Sequence, residues 1–338
     1  LGLTIEHIAP FWAPGGRERV ILNLARYLPE YRHTLAFATD TYFFPKEGLL
    51  GSKGEPDVVH CHGASLLPRL PWRDIPVVVT FHNVPTADEA TLVRELKQPV
   101  AVVAVSRAVA DGISKNGLIC TAIIAPGVDT KYLAQRVGFL PLNTWRARWR
   151  LPFLSPIVLW SGRLNSMHPP KDVALLFEVI DLLPRYHFLI VGDFYLREAE
   201  PKLDFDFEER VKALQGRVTW VPYVPPHAML VAYRLADVVI STSEREGFGL
   251  VIAEAMAAGK NVVVPDVPAL NELVSPDRDD GIIVERSAEA IAQGVKKVTE
   301  DPIAAGARNV RAQRTAEAWD VELVAEAYRK VYEGLISR

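Results

Sequence analysis

Short apolar runs alternate with amphipathic stretches along nearly the whole chain, and this alternation restricts the fold more than any other feature. Leu3-Thr4-Ile5-Glu6-His7-Ile8 reads as a first strand, followed by a turn at Pro14-Gly15-Gly16 and a helix from about Arg17 that carries Val20, Leu22, Leu24 and Leu28. Thr34 to Ala38, Asp57 to His60, Val77 to Thr80, Ala101 to Val105 and Ala122 to Ile124 read as further strands of one sheet. Continuous apolar runs separated by helices are the pattern of parallel strands covered on both faces.

The alternation breaks between about Gly138 and Pro156 and then restarts. Within the break, Trp145-Arg146-Ala147-Arg148-Trp149-Arg150 has the residues of a membrane-surface patch. It is too short for a long apolar face, and the preferred reading is a short helix started by Asn143 or Thr144 and stopped by Pro152. Beyond it, Ile157 to Trp160, His187 to Gly192, Val218 to Val221, Asp237 to Ile240, Val262 to Val264 and Ile282 to Val284 read as strands, with helices at Asp172 to Leu183 and near Ala228 to Leu235. Ala288 to Leu335 reads as almost wholly helical. A length of 338 residues suits two domains. The expectation is an α/β protein of two facing Rossmann-like, doubly wound parallel-sheet domains with a cleft between them. The boundaries fall at residues 1–140 and 141–314, with a final helix over 315–338. Ligands of such sheets bind outside the carboxyl ends of strands.

One strand end stands out. In Ser243-Glu244-Arg245-Glu246-Gly247-Phe248-Gly249-Leu250-Val251-Ile252-Ala253-Glu254-Ala255-Met256-Ala257-Ala258-Gly259, a glycine pair sits where a strand hands over to a helix. Unpaired backbone N–H groups at a helix start suit an anion, phosphate above all. Glu246 and Glu254 flank that place. Carboxylates do not bind phosphate, but they accept hydrogen bonds from hydroxyls, which a sugar nucleotide supplies. Glu254 stands among apolar neighbours, where a charge needs a partner or a ligand.

Seven residues separate Glu246 from Glu254, and here the chain resembles the retaining glycosyltransferases of the family-4 type (glycosyl transferases group 1), which have the GT-B fold. Pro14-Gly15-Gly16-Arg17-Glu18-Arg19, Asp57-Val58-Val59-His60-Cys61-His62-Gly63, Thr80-Phe81-His82-Asn83, Ala104-Val105-Ser106, Gly127-Val128-Asp129, Gly162-Arg163-Leu164, Val191-Gly192-Asp193 and Trp319 match that family's segments in order. The resemblance implies transfer of a sugar from a nucleotide-diphosphate sugar to an acceptor. Arg163 and Lys171 are similar to the basic pair that stabilises the leaving phosphate, although the loop before Lys171 is longer than usual and Asp172 replaces a glycine. His82 would contact the transferred sugar, Glu246 its hydroxyls, and Glu254 the ribose. Gly15, Gly16, Gly162 and the backbone of Gly247, Phe248, Gly249 and Leu250 would bind the donor, with Arg17 near an anionic acceptor and Val221 and Tyr223 beside the nucleobase. The final helix would cross back to the first domain.

Other features limit the reading. His60 and His62 face one side of a strand, which raises the question of a metal, but no suitable third ligand is near in sequence, and no metal or cofactor is expected. Asp204-Phe205-Asp206 has the look of a metal-binding acidic triplet from another transferase fold; Asp206 serves better as a helix cap. Only Cys61 and Cys120 are present, the first residues read as a strand rather than a leader, and a cytoplasmic setting is expected, with peripheral membrane contact left open. A net charge of −3 gives no reason to expect nucleic acid. The partners expected are a UDP-, GDP- or ADP-sugar and a saccharide, lipid-linked or small-molecule acceptor. The rival readings are a sugar-nucleotide epimerase or hydrolase on the same fold, or an inactive nucleotide-sugar binding protein.

Overall fold

The computed structural model describes residues 2–9, 16–37, 55–70, 74–164, 171–194 and 206–337. In chain order the elements are β1 (Thr4–Ala9), α1 (Gly16–Tyr27), β2 (Arg32–Phe37), β3 (Val58–Cys61), β4 (Val77–Phe81), α2 (Ala87–Arg94), β5 (Val100–Ala104), α3 (Arg107–Lys115) and β6 (Ala122–Ile123). There follow α4 (Thr130–Leu133), α5 (Phe139–Arg148), β7 (Ile157–Ser161), α6 (Val173–Leu182), β8 (His187–Val191), α7 (Phe207–Ala213), β9 (Val218–Val221), α8 (Pro226–Leu235) and β10 (Val238–Ile240). The last are α9 (Leu250–Ala257), β11 (Asn261–Pro265), α10 (Leu270–Leu273), β12 (Ile282–Val284), α11 (Ala288–Glu300), α12 (Pro302–Ala316) and α13 (Val321–Ile336). The chain divides into two compact units, one of Leu1–Gly127 with Trp319–Arg338 and one of Val128–Ala318.

The first unit holds a parallel sheet in the order β2-β1-β3-β4-β5-β6. The order reverses between β1 and β3, so the carboxyl ends of those strands flank a switch point. Ile5, Val58, Val78 and Val103 meet Leu24 of α1, Leu28 just beyond it, and Tyr328 and Tyr332 of α13 in one core. The final helix is therefore a structural layer of the first unit. β2 begins at Arg32, earlier than the apolar run at Thr34 suggests. His33 is the reason: it is a polar residue that points inward and is buried.

The second unit holds a parallel sheet in the order β12-β11-β10-β7-β8-β9, the two-halves winding with its switch point between β7 and β10. Trp160, Leu176, Ile180, Phe188, Ile240 and Ile291 lie in its core. α5 starts at Phe139 behind Gly138, not at Asn143 or Thr144. Pro141 fits inside its first turn because the early helical N–H groups have no helical partner to lose. Thr144 sits mid-helix and donates its hydroxyl to the Leu140 carbonyl at 2.9 Å instead of capping. Side-chain caps begin several other helices: Ser106 accepts from the Val109 N–H, Asp206 from Glu209 and Ser287 from Ala290. Asp206 thus caps α7, while Asp204 and Phe205 lie outside the described residues. No helix among the described residues is long and apolar enough to cross a membrane.

Candidate functional site

At the switch point of the second unit, the carboxyl ends of β7 and β10 run side by side, with Trp160 in register with Ile240. The loop after β10 is fixed from within. Ser241 Oγ donates to Ser243 Oγ at 3.1 Å and accepts from the Ser243 N–H at 3.2 Å. Ser243 Oγ in turn donates to Glu246 Oε1 at 2.8 Å. Trp160 Nε1 donates to Thr242 Oγ1 at 3.0 Å, and that hydroxyl donates to the Lys171 carbonyl. Lys171 Nζ then forms an ion pair with Glu246 Oε1. Lys171 and Glu246 stand 75 residues apart in sequence, yet one network holds both. Their side chains keep 21% and 10% of their exposure, so both border solvent, where an ion pair is modest in energy but directional.

Gly249 is the N-cap of α9, with φ 96° and no side-chain cap bond. That left-handed conformation favours glycine, and a Cβ there would lie 2.5 Å from Leu270 Cδ2. The helix start is thus open to a ligand's acceptors in place of a capping side chain. Gly247 and Phe248 are buried beside it and Leu250 opens the helix. At the far end, Gly259 N donates to Met256 O and Lys260 N to Ala255 O, both at 2.9 Å, the paired bonds of a left-handed stop. Ser161, Lys171, Ser243, Glu246 and Gly249 line a small pocket over this end of the sheet.

Gly162 and Gly192 bring the ends of β7 and β8 together. Gly162 N donates to Val191 O at 3.1 Å, and a Cβ on Gly192, which has φ 154°, would fall 1.8 Å from the Gly162 carbonyl oxygen. Arg163 leaves this junction half-buried. Glu254 lies inside α9 with only 4% exposure, and Tyr233 Oη donates to its Oε2 at 2.7 Å. Tyr233 of α8 is fully buried, so this partner is part of the core. Val221 and Tyr223 border a cavity of about 370 Å³ lined also by Trp145, Trp149 and Trp220.

His82 belongs to the first unit, just past β4, and is half-buried. It does not stand alone. His7, His33, His60 and His62 gather on one face of the first sheet, with His7 in register with His60. His60 and His62 stack at 4.2 Å, as their spacing on one strand implies. Ring nitrogens of His7, His60 and His62 come within 4.8 Å of one another, the proximity of a metal triad. Each of these nitrogens is already engaged. His7 bonds His33 and His62, His62 bonds His7 and His82, and His60 bonds Tyr332 Oη at 2.7 Å and Thr80 Oγ1 at 2.8 Å. These contacts join the cluster into one hydrogen-bonded network. Burial, with the nearby rings, holds His7 and His60 well below the ordinary histidine value, and burial lowers His33 as well.

Of the residues singled out from the sequence, Gly162, Arg163, Lys171, Glu246, Gly247, Phe248, Gly249, Leu250 and Glu254 gather about the strand ends and helix start of the second unit, with Val221 and Tyr223 at the next strand end. Gly16 opens α1, whereas Gly15, the side chain of Arg17 and the loop at 165–170 lie outside the described residues. The sequence gives no site role to Ser243, Thr242, Tyr233, His7 or His33, and its pairing of His60 with His62 does not extend to His7. Only Ser243, three residues before Glu246, had a local signal.

The family model for glycosyl transferases group 1 matches residues 143–318, and that for Glycosyltransferase Family 4 matches residues 47–132. Among curated proteins, the D-inositol 3-phosphate glycosyltransferase of Xylanimonas cellulosilytica is 28% identical over 69% of this chain and 61% of its own length. The lipopolysaccharide core biosynthesis mannosyltransferase LpsB of Rhizobium meliloti is 30% identical over 63% of this chain and 61% of its own. The chain thus spans 61% of the length of each of these two relatives. Among solved structures, a glycosyltransferase from Rickettsia africae superposes with a TM-score of 0.80 at 20% identity, covering 99% of both chains. Anabaena Alr3699/HepE in complex with UDP-glucose gives 0.80 at 18% identity, covering 98% of this chain and 100% of that one. These structural likenesses speak for the fold, and the group 1 match, which takes in more than half of the residues, speaks for descent. The chain belongs to the glycosyl transferases of group 1 and has the GT-B fold.

Proposed function

We propose that this chain is a retaining glycosyltransferase that moves a sugar from a nucleoside-diphosphate sugar to a hydroxyl acceptor without a metal ion. The observation that carries the reading is the coupled set of Lys171, Glu246 and Ser243 beside the uncapped start of α9. As the donor's bond breaks, negative charge grows on the diphosphate. Arg163, Lys171 and the N–H groups that open α9 offset that charge, which is the task a metal performs elsewhere. Glu246, held by Ser243 and Lys171, accepts hydrogen bonds from sugar hydroxyls. Glu254, oriented by Tyr233, accepts from the ribose, and the base lies against Val221 and Tyr223. His82 contacts the transferred sugar. Nothing in this set is an enzymic nucleophile with a paired base, so transfer on the same face of the sugar, with the leaving phosphate helping to take the acceptor's proton, fits best. The names of the relatives support glycosyl transfer, and the UDP-glucose complex of the Anabaena protein supports a nucleotide-sugar donor, with UDP first to be tried.

The test is a thermal-shift screen of UDP-, GDP- and ADP-sugars followed by transfer assays with and without EDTA. A ligand of the native state raises the melting temperature. Glu246→Ala is expected to lower kcat by a factor on the order of 10² to 10³, as when one preorganised contact is lost, with the melting temperature little changed. Wild-type turnover in that variant, or activity abolished by EDTA, would sink the corresponding part of the reading. Complete hydrolysis or epimerisation of the donor with no acceptor present would point to a different enzyme on this fold.

A further inference from the structure

The histidines of the first unit form a row with a single sense. His33 Nε2 lies 3.2 Å from the Leu28 carbonyl oxygen. His33 Nδ1 lies 2.9 Å from His7 Nε2, His7 Nδ1 lies 3.2 Å from His62 Nε2, and His62 Nδ1 lies 3.2 Å from His82 Nε2. Every link joins an Nδ1 to the next ring's Nε2. A carbonyl oxygen only accepts, so His33 must carry its proton on Nε2. A neutral imidazole has one donor and one acceptor nitrogen, so His33 Nδ1 accepts from His7 Nε2–H. The same logic then passes from His7 to His62 and from His62 to His82.

We propose that His33, His7 and His62 are positioning residues that fix His82 in the Nε2–H tautomer, so that its Nδ1 is the nitrogen that accepts a hydrogen bond from a sugar hydroxyl. The Leu28 carbonyl, at the end of α1, is the anchor that sets the sense of the whole row. Burial keeps His7 and His33 in the neutral form the row requires. Among the surrounding groups, His60 is tied to Thr80 and Tyr332, Tyr328 donates or accepts at Thr80, and Tyr31 stands beside His33. At His33, burial outweighs the Leu28 carbonyl and Glu30, which favour the charged form. The assignment of His82 to the transferred sugar rests on the proposed function; the tautomer itself does not.

The experiment is nitrogen-15 NMR of protein labelled at histidine, with no substrate present, the His82 signals being assigned by their loss in His82→Asn. In the wild type, His82, His62, His7 and His33 are each expected to show a protonated Nε2 and a bare Nδ1. His33→Leu cuts the row from its anchor, and a second His82 tautomer is expected to appear. His33→Asn restores an amide oxygen close to the position of the ring's Nδ1, and the single tautomer should return with it. In transfer assays, His33→Leu is expected to lower kcat by about twofold or more with the donor KM unchanged, and His33→Asn to recover it. A wild-type His82 protonated on Nδ1, or a His82 signal indifferent to His33→Leu, would overturn the proposal, and the wild-type spectrum decides the first point even if a variant fails to fold. The expected tautomers in a protein that transfers no sugar would instead count against the proposed function.

Discussion

The two units share an architecture, each a parallel sheet of six described strands, but they keep their polar groups in different places. The second unit packs an apolar cluster about its sheet and sets the ion pair of its candidate site, Lys171 with Glu246, at a strand end beside solvent. The first unit places histidines within the core itself, under Tyr328 and Tyr332. Five of the eight histidines of the sequence lie in it. A charged group at a strand end can be retained in water until a ligand arrives. A buried ring must be satisfied by the fold, and its partners then decide which nitrogen bears the proton. The same sheet thus supports two kinds of polar site, one set by charge and one by proton position.

Acid should separate the units most strongly. Unfolded, His7, His33 and His60 gain a proton as pH falls through about 6.5, whereas folded they stay neutral to lower pH. The unfolded chain therefore binds more protons just below that pH, and stability is lost as acid is added. The slope is about 1.4 kcal/mol per pH unit for each ring, or about 4 kcal/mol for the three. In the second unit burial lowers His187 in the same direction, a single ring. Hydrogen exchange read peptide by peptide, corrected for its intrinsic pH dependence, should show β1, β3 and β4 losing protection well before β7 and β10. Equal losses would erase the distinction.

A smaller effect belongs to Glu254, a buried carboxylate of the second unit. Tyr233→Phe keeps the ring and removes the 2.7 Å bond to Glu254. The expected cost is about 1.5–3 kcal/mol in urea unfolding, because the acceptor is charged and buried. An unchanged midpoint would mean that Glu254 does not depend on its core partner. Smallest of all are the helix caps, which should not tell the units apart. Ser106→Ala in the first and Ser287→Ala in the second should each cost about 1 kcal/mol by thermal melting. A large disparity would show that the units differ in more than their interiors.

Much of this arrangement can be read before any coordinates. The strand pattern, the restart after the break, and the uncapped helix start at Gly247–Gly249 follow from local periodicity and from glycine at a strand-to-helix junction. The inward face of His33 does not. A polar residue before an apolar run looks like a strand's exposed edge, and only its bonds to His7 and to Leu28 explain its burial. Tyr233 was equally hidden, because its hydroxyl meets a carboxylate on another helix, 21 residues away. The start of α5 was misread because capping side chains are the local signal for a helix start, and this helix begins behind a glycine with none. Contacts set by tertiary packing leave no short-range trace.

The place of α13 in the first unit has a consequence for synthesis. A ribosome makes residues 1–127 first, then the 191 residues of 128–318, and only then the helix that covers the histidine row. At 5–20 residues per second, that interval is roughly 10 to 40 s. Until it ends, His60 lacks Tyr332, Thr80 lacks Tyr328, and the sheet's inner face stands open to water and to chaperones. The second unit, contiguous in sequence, can finish during that interval. Of these two units, the one whose translation starts earlier is completed later.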